Sequence, residues 1–442
     1  VRFDASADIA RQLQAIVPGG AHTLAKGDDQ FPDGLAPVID RGSGCRVWDA
    51  DGNEYIEYGV GLRSVTLGHA FPPVVEAVAG ELGRGSNFVR PSAIEVRAAE
   101  ALLDCVGADQ MAKFAKNGSD VTTAAVRLAR AWTGRDLVAV CRDSTFLSTD
   151  DWFIGTTAMA AGVPQVVRDL TVAFRYNDPA SIEALFDEYP GRIACLVLDP
   201  ASPLHEPRDG FLAVARDIAH RHGALIVFDE MITGFRWHLG GAQAVYGVRP
   251  DLSCFGKGMA NGFAVSALVG RRDVMELGGL DPAGERVFLL STTHGAETHG
   301  LAAAIATMDV YRSEPVIEHL YRQGERLAVG VRQAAEAAGV ADHFRVIGRS
   351  CNLVYSTLGP DGAPSQAFRT LFLQETIRRG VLAPSLVVSY SHAEADIDRT
   401  VEVVAEALPV YRRALDEGID RHLVGRPVRP VMSPSRNAGR VG

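Results

Sequence analysis

Lys257 stands between Gly256 and Gly258, directly after the apolar run Leu252 to Phe255 and before Met259-Ala260-Asn261-Gly262. Flanking glycines let backbone and ligand approach closely, and partial burial lowers lysine basicity. A neutral amine is the nucleophile that condenses with a carbonyl to a Schiff base. The rival reading, a Gly-Lys phosphate loop, fails on spacing: Lys257 is followed by Gly258, and no glycine stands five residues before Gly256. Two acids, Asp199 and Asp229, close the apolar runs Ile193 to Leu198 and Ala224 to Phe228. Carboxylates at the carboxyl ends of buried parallel strands lie where open α/β sheets bind ligands. Asp229 is therefore a site candidate, although alone it reads equally well as a helix cap or turn acid. Asn117-Gly118-Ser119-Asp120 follows the apolar Met111 to Ala115 and precedes a helix whose apolar face is Val121, Ala124, Ala125, Leu128, Ala129 and Trp132. Exposed amides of that first turn, with Gly118 open to close approach and the Ser119 hydroxyl nearby, make a phosphate cradle. Alone, the segment is also an ordinary cap.

These residues need elements to hold them. From Met111 onward short apolar runs, Val138-Ala139-Val140 among them, alternate with amphipathic segments, the pattern of strands joined by crossover helices in a mainly parallel sheet. Ahead of it lie a helix from about Ile9 to Ile16, the Pro18-Gly19-Gly20 break, and a hairpin from Cys45 to Ile56 turned at Asp51-Gly52, together a small N-terminal layer. After about Pro315 a long helical segment is expected. Strands near Phe344 to Ile347 and Asn352 to Tyr355 and helices around Gln366 to Arg379 and Ala395 to Leu415 follow, as a separate α+β domain. Arg426 to Gly442, rich in proline and arginine and without acids, reads as an irregular tail.

Composition narrows the chemistry. At 442 residues the chain exceeds one ordinary core, which favours a large domain plus a smaller one. A formal charge of −10 disfavours nucleic acid and anionic membrane partners and gives weight to small-molecule chemistry. The cysteines (Cys45, Cys105, Cys141, Cys195, Cys254, Cys351) are scattered singly, without zinc-site spacing, and read as reduced packing residues. Apolar runs are far shorter than the roughly 20 residues that span a bilayer, and no signal-peptide pattern opens the sequence, so a cytoplasmic location is expected.

Several segments, in order, carry a family resemblance: PGG at Pro18, VWDADGNEYIEY from Val47, LGHAFPPVVEAV from Leu67, NGSD at Asn117, RLARAWTGR from Arg127, VFDEMITGFR from Val227, GAQAVYGVRPDLSCFGKG from Gly241 and SHAEADID from Ser391. The chain resembles a class III, fold type I pyridoxal 5'-phosphate aminotransferase of the glutamate-1-semialdehyde aminomutase branch. The resemblance implies an α/β large domain over 71–314 with a mainly parallel seven-stranded sheet. It also implies a smaller α+β domain built from 1–70 and 315–425, a tail at 426–442, and a homodimer with shared active sites. Lys257 would carry the cofactor as a Schiff base and move protons, Asp229 would pair with the pyridinium nitrogen, and Met231 would pack on one ring face. Gly118 and Ser119 would hold the phosphate, completed by a threonine from the second chain. Here either Thr292 or Thr293 matches that residue. The implied activity is transfer of an amino group, from a donor such as glutamate to a ketone or aldehyde in specialised biosynthesis, with 1,2-aminomutation as the alternative.

The departures concern the substrate. Where the family stacks a tyrosine on the cofactor, Phe146 is the nearest aromatic, and a plain core role for it stays open. The branch's carboxylate-binding arginine is replaced by Lys26, which keeps the charge and loses the fork. Leu62 and Arg63 stand where a substrate-facing tryptophan is usual; Arg63 either clamps an acidic substrate group or forms a salt bridge. The aminomutase glutamate after Pro384-Ser385 is missing, which argues for transamination with a separate donor. His294, Glu297 and His299 have near-ligand spacing but no third His/Cys partner, so no metal is expected. His205-Glu206, after Asp199-Pro200, either lines the substrate mouth or caps a turn.

Overall fold

The computed structural model describes residues 2–107, 109–144, 146–282 and 284–432. The chain divides into two compact units, one formed by Val1–Leu62, Thr66–Phe71 and Glu318–Gly442, the other by Arg63–Val65 and Pro72–Ile317. The short piece Arg63–Val65 departs from the N-terminal layer assigned to it from sequence. Its reason is local packing, since a Cβ on Gly262 would lie 3.1 Å from the Val65 side chain.

The larger unit is a seven-stranded sheet. Its spatial order is Met111–Ala115, Ser266–Gly270, Leu252–Phe255, Leu225–Asp229, Ile193–Leu198, Leu137–Cys141 and Thr171–Phe174. Ser266–Gly270 runs antiparallel to both neighbours, and the remaining pairings are parallel. Leu137–Cys141, Ile193–Leu198 and the strand through Phe228 are continuous apolar runs because helices cover both faces, leaving no solvent side for polar alternation. Period-two alternation then sorts their side chains. Val138, Val140, Cys195, Val197, Leu225, Val227, Leu252 and Cys254 point to the layer that holds helix Gly118–Thr133. Leu196, Leu198, Ile226 and Phe228 point to the layer of helices Pro179–Glu188 and Phe211–Arg221. Trp132 is a correction: it stands in the last turn of its helix, before the left-handed Gly134, and is 40% exposed under the Arg271 guanidinium at 5.5 Å. It covers surface instead of core.

The smaller unit has a four-stranded sheet, Ile39–Ser43, Arg46–Asp49, Glu54–Glu57 and Val381–Leu382, the last pairing in parallel. Its hairpin is closed by chemistry at the turn. Asp49 Oδ1 accepts the Asp51 and Asn53 amides at 3.1 and 2.8 Å, and Gly52 takes φ 83°. The first helix runs Asp4–Ile16, one turn longer than its apolar pattern, because the Ala5 and Ser6 amides donate to the Asp51 carboxylate at 2.8 Å each. An acid distant in sequence supplies the cap. The second expected strand of the C-terminal domain forms at Val354–Thr357, after a 3₁₀ turn at Ser350–Asn352, and pairs with Phe344–Ile347. Helices Gln366–Ile377 and Glu394–Glu417 cover it through Phe344, Phe368, Phe372 and Tyr411. The described part of the tail is irregular yet packed: Val428 is buried, and its amide donates to Thr370 Oγ1 at 2.8 Å. Residues 433–442 lie outside the described residues.

Candidate active site

Three strand ends of the larger unit meet at one place. Leu198 pairs with Phe228 and Asp229 with Cys254, so Asp199, Asp229 and the Gly256-Lys257 turn leave neighbouring strands side by side. Asp199 follows Cys195 and Val197 in the alternation, and Asp229 follows Leu225 and Val227. Both carboxylates therefore rise on the face covered by helix Gly118–Thr133. Asp229 is buried, and its Oδ1 accepts the Met231 amide at 3.0 Å. Burial pushes the Asp229 carboxyl up while Lys257 counters it; Asp199 is pushed up by burial and then by Asp229 itself. Burial also lowers the Lys257 amine, Asp229 and Asp199 pull it back, and Arg63 and Arg236 press it down again. Lys257 holds φ 46°, a left-handed conformation that costs a lysine of order 1–2 kcal/mol and occurs mostly where surroundings impose it.

The phosphate-cradle segment lies beside this cluster. A Cβ on Gly118 would stand 3.1 Å from the Met231 sulfur, and one on Gly256 only 2.7 Å from it, so the Met231 side chain is wedged between the two glycine backbones. Asn117 caps the helix in extended conformation while Asp120 Oδ2 accepts the Asn117 and Lys116 amides at 2.8 and 3.2 Å. Ser119 Oγ accepts the Thr149 amide at 2.9 Å, so its own proton remains to be donated. Thr122 Oγ1 donates to the Leu147 carbonyl at 2.8 Å, and these two bonds pin the 146–149 segment over the helix N-terminus. Phe146, at the edge of that segment, is 47% exposed and meets Phe153 edge-on at 5.7 Å. It is not a core residue.

Arg63 belongs to this unit, at φ 73° after Leu62 at φ 57°, and burial beside Arg236 lowers its pKa to about 10. Thr292 and Thr293 are both exposed; the Thr293 carbonyl accepts Asn87 Nδ2 at 3.1 Å, while Thr292 Oγ1 sits over Gly295. Lys26 lies in the other unit, exposed at the end of the 3₁₀ turn Leu24–Lys26. Glu297 pairs with Lys116 at 2.8 Å and His294 at 3.1 Å, and among the described residues no group of three His, Cys, Asp or Glu is placed to hold a metal. The His205 amide donates to Ser202 Oγ at 3.1 Å and its ring tilts against Tyr176, a turn whose recess also contains Asp199.

Three further residues at the site carry no assigned role in the sequence. Asp199 closes its strand as Asp229 does, and the same two-residue alternation that marks Asp229 marks it too. Arg236, 1% exposed within GFR, sits in the same electrostatic neighbourhood as Arg63 and Lys257. Glu230 is buried and raised to about 7 by desolvation, and it organises the following turn by accepting the Ala242 and Gln243 amides at 2.7 and 2.8 Å and the Thr233 hydroxyl. Gly241, at φ 80°, leaves room for it: a Cβ there would stand 2.3 Å from Glu230 Oε2.

This sheet order, with a lysine turn and acids at its carboxyl edge, is the architecture of fold type I pyridoxal-phosphate transferases. The FumI protein of Sphingopyxis sp. MTA144, in its PLP internal aldimine form, superposes with a TM-score of 0.84 at 26% identity, covering 93% of this chain and 97% of that one. An omega-transaminase from Sphaerobacter thermophilus gives 0.81 at 26% identity, covering 91% and 97%. The family described as Aminotransferase class-III matches residues 31–356, and the chain belongs to that family. In sequence it is 34% identical to a glutamate-1-semialdehyde 2,1-aminomutase of Desulforamulus reducens, over 94% of this chain and 99% of that protein. It is equally 34% identical to one of Sorangium cellulosum, over 92% and 97%. No helix among the described residues is long and apolar enough to cross a membrane.

Proposed function

We propose that the chain is a pyridoxal-phosphate enzyme that transfers an amino group from a donor, such as an amino acid, to a ketone or aldehyde acceptor. The observation that carries this reading is the meeting of Lys257, Asp229 and the Gly118-Ser119 turn on one face of the sheet. The residues fit the cofactor: a desolvated amine, a buried acid, and two glycines whose missing Cβ atoms leave only the Met231 thioether between them. When bound, the cofactor would supply an electron sink to the reacting substrate carbon. Lys257 Nζ would hold it covalently and would carry the proton to and from that carbon. Asp229 would keep the ring nitrogen protonated by placing a carboxylate against it in a low-dielectric site. Met231 would support the ring by packing, and Phe146 is the aromatic available to stack on it. The Gly118 amide and the Ser119 hydroxyl bind the phosphate, and a second copy of the chain completes that cup through Thr292 or Thr293, in a homodimer. The exposed threonines beside the exposed apolar Phe88 and Val89 support that arrangement.

A second reading, 1,2-aminomutation of glutamate 1-semialdehyde, is favoured by the names and the 34% identity of the sequence relatives. Against it stand Lys26 in place of the arginine, Leu62-Arg63 in place of the tryptophan segment, and the loop Pro384 to Tyr390 without the glutamate. The two are separated by supplying glutamate 1-semialdehyde alone to the purified holoenzyme. A mutase converts it with no second substrate, whereas a transaminase turns over only when donor and acceptor are both present. The first result would replace the leading reading.

Lys26 and Arg63 are proposed to contact the acceptor, Lys26 on the family match and Arg63 on its place near Lys257. Removing a hydrogen bond to a charged group costs about 1.5 to 3 kcal/mol, so Lys26→Ala or Arg63→Ala is expected to lower acceptor kcat/KM roughly ten- to a hundredfold. The bound-cofactor spectrum should stay unchanged. Lowered thermal stability with unchanged kinetics for every acceptor would instead assign both residues to the scaffold.

A further inference from the structure

We propose that Asp199 is a positioning residue that shares a single proton with Asp229, so that the two acids together present one negative charge to Lys257 and to the cofactor's ring nitrogen. The proposal rests on the cofactor reading above. Strand register supplies the geometry. Leu198 and Phe228 are paired partners on neighbouring parallel strands, so the residues one step on, Asp199 and Asp229, are adjacent and rise on the same face. Adjacent parallel strands lie roughly 4.8 Å apart, which brings the buried Asp229 carboxylate and the half-buried Asp199 carboxylate close to contact distance.

Two like charges at that separation in a desolvated site do not both ionise, and one proton stays with the pair. Lys257, the cation both acids feel, carries a single positive charge, and Arg63 and Arg236 press on Lys257 and lower its basicity further. The other ionisable groups around Asp199 do not compensate a second charge. Glu230, next to Asp229, is an acid whose carboxylate is committed to the Ala242 and Gln243 amides. The recess beside Asp199 is lined by Asp143, Tyr176 and His205 with Ser144 and Ser202, and the Tyr176 hydroxyl donates to the Pro200 carbonyl at 2.6 Å. Ser144 Oγ accepts the Asp199 amide at 3.4 Å and fixes the start of that loop. Asp199 therefore shares the proton that keeps the charge of the pair single, without touching the cofactor.

Asparagine substitutions at the two positions separate this from its alternatives. Either single variant leaves one acid, which ionises and restores the single charge; only the double variant removes it. The readout is the pH titration of the bound cofactor's visible absorption, which reports the field at Lys257. The apparent pKa is expected to move by less than about 0.5 unit in Asp199→Asn and in Asp229→Asn, and to fall by more than about 1 unit in the double variant. A full fall in Asp229→Asn with no further change in the double would make Asp199 a bystander. Falls in both single variants that add in the double would mean the pair carries two charges. Either result overturns the proposal. If the double variant does not fold, the single variants decide alone: a titration retained in Asp229→Asn supports the shared proton, and a fall there overturns it. A wild-type protein with no lysine-dependent visible band would sink the cofactor reading instead, and the two failures are thereby distinct.

Discussion

Lys257→Ala is expected to abolish covalent cofactor attachment and to lower turnover by at least about a thousandfold, because one side chain is proposed to be both the covalent anchor and the proton carrier. The amine is desolvated at the end of Leu252–Phe255 and held at φ 46°, a conformation that lysine does not choose freely. The measurement is borohydride reduction of the wild-type holoenzyme followed by peptide mapping, with the alanine variant as control. The reduced adduct is expected on the peptide that contains Gly256-Lys257-Gly258. An adduct on another lysine would remove Lys257 from the centre of the site, and with it the assignment of Asp229 as the ring-nitrogen partner.

The second large effect is expected from Asp229→Asn, which should retain cofactor yet transaminate at least roughly a hundredfold more slowly. Stabilising the charge that develops on the ring is worth several kcal/mol, and an amide placed against the ring nitrogen stabilises its proton less than a carboxylate in contact does. Binding and chemistry should separate cleanly, since the Gly118-Ser119 turn and Lys257 are untouched by the substitution. Single-turnover kinetics on the reconstituted variant make the test. A near-normal rate would mean that another group faces the ring nitrogen. A slow rate together with an unmoved absorption titration would show that contact with the ring and the field at Lys257 are different contributions.

The strands that build the site were legible because burial on both faces leaves unbroken apolar runs, and Ile193–Leu198 and Leu225–Asp229 need nothing further to be recognised. The partial burial of Lys257 was legible from its glycines. The pairing of Asp199 with Asp229 was not, because it depends on which strands are neighbours and on their register, and a single run carries neither. The first helix shows the same limit from the other side. Its opening turn is capped by Asp51, and no local pattern over Asp4–Ile16 points to an acid beyond residue 50. Trp132 failed for a simpler reason. Helical periodicity gives a face but not where the layer beneath it stops, and its indole ended under Arg271.

Val60, Leu62, Arg63 and Lys257 all hold positive φ, at 39°, 57°, 73° and 46°, and two of them are residues on which the proposed chemistry depends. Each is a place where the ordinary backbone preference of an L-amino acid has been overruled, at an expense of order 1–2 kcal/mol apiece. On the proposed roles, heat tolerance and catalytic competence are set against one another along these short stretches. Directed evolution for thermal endurance alone would reward glycine at Leu62 or Arg63, and in doing so would displace or remove the guanidinium that is proposed to contact the acceptor. Laboratory lineages of this enzyme selected only for ruggedness would drift toward robust but indifferent catalysts, whereas selection that demands turnover at every round would keep the awkward backbone.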